Sequence, residues 1–129
     1  MNQHSAHDIS KIVIARFDQS GDLLTNKKLQ KLLYYIEAWS LVYLGAILKE
    51  NFQAWVHGPV IPSVYHEYSQ FGYNPISQHY ECGETPEKFI NNLKKEIGLK
   101  KKQNKLIMEV LEKYGAQILN TDYSLLRLA

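Results

Sequence analysis

Few residues in this chain are placed to begin chemistry. Cys82 is the one cysteine, and His79 stands three residues before it, which makes half of a zinc ligand pattern. A structural zinc site needs four ligands, and His4, His7, His57 and His66 are not at paired spacing with this half. No metal and no other cofactor is expected. As a nucleophile, Cys82 would need a basic partner oriented by a third group, and the flanking Glu81 and Gly83 supply neither. The seven glycines fall singly at element boundaries instead of gathering into a phosphate-binding loop. These residues predict a protein that is not an enzyme.

Two other groupings suit contact better than catalysis. Lys94, Lys95, Lys100, Lys101, Lys102 and Lys105 form a basic run that can neutralise nucleic-acid phosphates. The same run also suits a solvated turn beside a helix C-terminus, whose dipole favours cations. The net charge is only +2, from 15 basic and 13 acidic residues, so the balance argues against nucleic acid as the main partner. The second grouping runs from Phe52 to Tyr65 and sets Trp55, His57, Gly58 and Pro59 at a strand-to-helix junction. In one reading Gly58-Pro59 merely reverses the chain and Trp55 packs on the central helix. In the other, the junction is a rigid recognition corner with an aromatic ring and an imidazole at the surface.

The elements that hold these groupings follow from periodicity. Ser5 with Asp8 resembles an N-terminal capping box, and Ile9, Ile12, Val13 and Phe17 then recur at helical spacing up to Ser20-Gly21-Asp22. Thr25 caps a second helix whose first turn is basic through Lys27, Lys28 and Lys31. Its residues 29 to 43 are apolar nearly all round, which predicts the most buried element, with Leu32, Leu33 and Ile36 inaccessible. Phe52 to His57 alternates as a strand, Leu48 to Asn51 is expected to supply a partner strand and turn, and Gly58-Pro59 ends the strand. Pro62 opens a helix that runs towards Gly72, and residues 77 to 84 read as the main loop. Thr85-Pro86 opens a helix ended by Gly98, and a last clear helix through Leu106 and Val110 ends at Gly115. From Ala116 to Ala129, the apolar residues Ile118, Leu119, Tyr123, Leu125, Leu126 and Leu128 fit no single period.

The expected fold is therefore α+β, mainly α: one compact domain over residues 1 to 129, with about five helices and a small β-hairpin. The 129 residues, 45% hydrophobic and 22% charged, match ordinary globular composition and exclude wholesale disorder. A single cysteine fits a reducing compartment, and with no apolar span or leader pattern the expectation is a cytoplasmic protein without a membrane partner. Nine tyrosines, concentrated between Tyr34 and Tyr80, suit a core with a wet edge or a protein interface.

Two strings together resemble a known family. Leu24-Thr25-Asn26-Lys27-Lys28-Leu29-Gln30-Lys31-Leu32-Leu33-Tyr34-Tyr35 is similar to the opening helix of the Panacea antitoxin domain, a SocA-like, phage-associated family. Ala54-Trp55-Val56-His57-Gly58-Pro59-Val60-Ile61-Pro62-Ser63-Val64-Tyr65 resembles its second block, and Gly72 to Ile76 resembles the continuation. The strong resemblance covers residues 24 to 76. The threonine–histidine pair and tryptophan that usually close the family's domain are not seen between Ala116 and Ala129. The resemblance implies a non-enzymatic antitoxin-type module that binds a cognate protein toxin, either neutralising it directly or handing it to a AAA+ protease. Combined with the residue reading, it selects Lys28 and Lys31 in the basic turn, and Trp55, His57, Gly58, Pro59 and Tyr65 at the corner, as the partner-binding set.

Overall fold

The computed structural model describes residues 2 to 120; Tyr123, Leu125, Leu126 and Leu128 lie outside the described residues. Among the described residues it is mainly helical, with one two-stranded antiparallel hairpin. In chain order the elements are α1 (Ala6–Ser20), α2 (Asn26–Tyr43), β1 (Gln53–Trp55), β2 (Gly58–Val60), α3 (Pro62–Tyr68), α4 (Pro86–Ile97) and α5 (Lys101–Tyr114). A short 3₁₀ turn, Ser69–Phe71, extends α3.

The helix ends follow local chemistry. Thr25 and Thr85 accept the backbone N–H groups of Lys28 and Lys88, which would otherwise lack helical partners. Pro62 and Pro86 occupy first-turn positions, where a missing N–H removes no bond. Ser5 does cap α1, but its hydroxyl accepts from His7, and Asp8 closes no reciprocal box. The carboxylate at this terminus comes instead from Glu50, which accepts the Ala6 N–H at 2.8 Å. A residue far along the chain thus does what a local box was expected to do.

One core surrounds α2. Leu29, Leu32, Leu33 and Ile36 are fully buried among Ile9, Val13, Ile14, Ile47, Val64 and Ile107. A smaller cluster of Ile12, Ala15, Ile90 and Leu93 joins the other side of α1 to α4. On α5, Tyr114 stacks on Tyr35 at 4.2 Å between ring centres, and its hydroxyl accepts from Trp39 Nε1 at 3.1 Å. This seam gives half-buried aromatic rings a polar outlet. The all-round burial expected of α2 fails in its last turn, where Leu41, Val42 and Tyr43 are exposed.

The hairpin also departs from expectation. Gln53 pairs with Val60, Ala54 with Pro59 and Trp55 with Gly58, so Gly58-Pro59 begins the second strand and does not end the first. The reversal is the two-residue turn Val56-His57. Neither turn residue has positive φ; Gly58, at φ 122°, absorbs the mismatch in a region that favours glycine. Pro59 is tolerated because each strand of a two-stranded sheet has a free edge. Leu48 does not pair with this strand either: it forms an isolated parallel bridge with His4.

Candidate partner-binding corner

The corner is a turn with an exposed tip and an anchored base. Trp55 is 37% exposed and Val56 81%, with His57 also exposed, while Gly58, Val60 and Ile61 behind them are buried. Trp55 packs on α3. Its ring meets the half-buried Tyr65 of α3 edge to face at 5.1 Å, and its Nε1 donates to Gln53 Oε1 at 3.1 Å. Such an aromatic pair holds both side chains in place beyond what area burial alone supplies.

Two amides on α2 secure the base. Gln30 Oε1 accepts the Ile61 N–H at 2.9 Å, Gln30 Nε2 donates to Asn26 Oδ1 at 3.1 Å, and Asn26 Nδ2 donates to the Tyr65 carbonyl at 3.0 Å. The ladder therefore ties α2 to both the start and the body of α3. Gln30 and Asn26 are both buried, where an unpaired amide would be costly. Reading the residues one motif at a time missed this pair. The signal was present: two amides at i, i+4, Asn26 and Gln30, at the start of the helix expected to be the most buried.

Of the seven residues selected from the sequence, the corner brings together Trp55, His57, Gly58, Pro59 and Tyr65. His57 and Tyr65 share a hollow of about 450 Å³ with Asn26, Lys27 and Tyr73. Gly58 and Pro59 act as backbone; Gly58 is buried and offers no side chain. Lys28 and Lys31 stand apart, because both are buried, at 7% and 3% exposure. The Lys28 ammonium lies over the Phe17 ring, 5.0 Å from its centre, and burial lowers its pKa, with Asp22 opposing the shift through space. The basic first turn of α2 is thus largely enclosed, and Lys27 is its more open lysine, reaching over the Tyr73 ring.

The remaining sequence signals lie elsewhere. Cys82 is exposed in the loop, and His79 faces Glu81 at 3.8 Å on the open surface. Among the described residues no group of three His, Cys, Asp or Glu side chains is disposed to hold a metal ion. Lys95, Lys100, Lys101, Lys102 and Lys105 are exposed around the α4–α5 turn, and Lys94 is half-buried there. Among the described residues no helix is long and apolar enough to cross a membrane.

A comparison with curated proteins and one with solved structures each returned no match. The family model for the antitoxin SocA-like, Panacea domain matches residues 29–120, which takes in α2 from Leu29 onward, the hairpin, α3, α4 and α5. It therefore includes Gln30 and the whole corner, and supports an antitoxin role in general terms. By this match the chain belongs to the SocA-like, Panacea-domain antitoxin family.

Proposed function

We propose that this chain is a non-catalytic antitoxin that neutralises a cognate protein toxin by direct contact through the Trp55–His57 corner. The observation that carries the reading is the contrast within that corner. Val56, an apolar residue at 81% exposure, projects from a turn whose base is fastened to α2 by the Gln30 bond. An exposed apolar tip on an anchored backbone loses little freedom when a partner closes over it. Trp55 and Tyr65 beside it are side chains often found as energetic anchors, and His57 adds a donor or acceptor at the rim.

The experiment is co-expression with each protein encoded beside this one, tested first for toxicity on its own. Wild-type chain restores growth and co-purifies with the toxin, and Val56→Asp weakens both. Comparing toxin levels with and without an active AAA+ protease separates the two routes. Direct neutralisation leaves toxin abundance unchanged, whereas an adaptor role lowers it only when the protease is active. If wild-type chain neither rescues growth nor binds the neighbour's product, the proposal fails.

A further inference from the structure

A cleft of about 600 Å³ lies among the end of α1, the segment before α2, and the last turns of α5. Phe17, Leu23 and Leu111 give it apolar walls, and Lys28 and Arg16 bring positive charge to it. Lys28 is the unusual member. Its side chain is 7% exposed, its ammonium sits over the Phe17 ring, and it forms no ion pair within 4.0 Å among the described residues. Arg16 spends one donor on Gln19 at 3.0 Å, while its buried Nε–H has no acceptor among the described residues.

A buried cation is expensive, and the Phe17 face together with the through-space pull of Asp22 offsets only part of that cost. An anion entering the cleft meets a charge that burial has already partly desolvated. The attraction is then opposed mainly by desolvation of the ligand alone. Asp22 and Glu112 also line the cleft, so a second negative charge on the ligand would be repelled. This disfavours phosphate and dicarboxylates relative to a single carboxylate. The walls favour an apolar body behind it.

We propose that this cleft is a receptor for a monocarboxylate carried on an apolar body, with Lys28 as the ion-pair partner. Two sources share that chemistry: a free aryl- or alkyl-acid, or a Glu or Asp flanked by apolar residues on a partner protein. The second source rests on the partner-binding reading above, and the first does not.

The test titrates the ¹⁵N-labelled full chain with 4-phenylbutyrate and, separately, with the peptide Ac-Leu-Glu-Leu-NH₂. The controls are 4-phenylbutanamide and Ac-Leu-Gln-Leu-NH₂, which keep the shape and lose the charge. The expected result is saturable shifts at the amides of Phe17, Lys28 and Leu111 for at least one acid, with its uncharged control weaker by about tenfold or more. Lys28→Met removes that preference for the acid while leaving the weak binding of the control unchanged. Lys28→Gln serves the same purpose if the Met variant does not fold. The acid that binds more tightly identifies the source. Absence of binding by both acids at millimolar concentration, equal binding of acids and controls, shifts confined to other surfaces, or unchanged acid binding in the Lys28 variants would each overturn the proposal. Neither titration depends on the Trp55–His57 corner, so failure of toxin rescue and failure of this site are separate results.

Discussion

Gln30 and Ile61, on different elements, are joined by one hydrogen bond of 2.9 Å, from the Ile61 backbone N–H to the Gln30 side-chain oxygen. Ile61 precedes the first turn of α3 and has no capping side chain of its own, so its entry into the helix is set from α2. Replacing Gln30 by Leu strands that buried N–H and removes the donor to the Asn26 side-chain oxygen. The expected loss is about 1–3 kcal/mol, the range for an unsatisfied buried group. Urea unfolding checks the magnitude, and faster hydrogen exchange at Ile61 checks the location. Unchanged stability would mean that the ladder does not hold the corner.

Leu33 is fully buried at the centre of α2. Leu33→Ala should cost about 2–5 kcal/mol, the range for emptying a core site that cannot fully collapse. Thermal or urea unfolding measures it, and a loss below 1 kcal/mol would place the centre of the core elsewhere.

His57 and Lys31 make an informative pair for the corner. His57 is exposed at the turn, so His57→Ala should weaken toxin rescue and shift the melting temperature by no more than a few degrees. Lys31 is 3% exposed, so Lys31→Ala should register first as a change in stability. A His57 variant that rescues as well as wild type would remove that residue from the contact set.

Lys28 makes stability depend on pH with a definite sign. Burial lowers its folded pKa below the unfolded value of 10.5, so at neutral pH the folded chain carries the cost of an enclosed ammonium. That cost is released as pH rises through the folded pKa towards 10.5. Lys28→Met never carries it. The stability advantage of Lys28→Met over wild type should therefore be largest near neutral pH and shrink on the alkaline side. A difference independent of pH would indicate a packing effect alone.

Tyr80 acts in the opposite sense. Burial, then the 2.5 Å hydrogen bond to Asp18, push its phenol up to about 12, against an opposing contribution from Gln78. Stability from the neutral phenol is present in full below pH 10 and is lost as pH rises towards about 12. Tyr80→Phe, compared with wild type by melting at pH 9 and pH 11.5, should show the smaller loss. Equal losses would remove Tyr80 from the alkaline transition.

The helices were legible from the sequence because their signals are local. Thr25, Thr85, Pro62 and Pro86 act within one turn of where they stand, and the apolar stretch from Leu29 to Ile36 marked the centre of the core by itself. The family resemblance was also legible, since it rests on residue types in order. What tertiary structure alone decided were the pairings across distance. Gly58-Pro59 reads equally as a break or as a strand start until Trp55 and Ala54 pair with it. Asp8 is the nearer carboxylate to the start of α1, yet Glu50 reaches the Ala6 N–H because the Leu48 segment is laid beside His4. Lys28 and Lys31 look like a solvated turn, since a lysine stem suits either a surface or an interior and only the surrounding elements choose. Asn26 and Gln30 acquire their role from acceptors and donors in α3 and its entrance, 31 residues or more away along the chain. Periodicity reports which face of an element is apolar; it carries no record of which distant backbone group will arrive to meet a polar one.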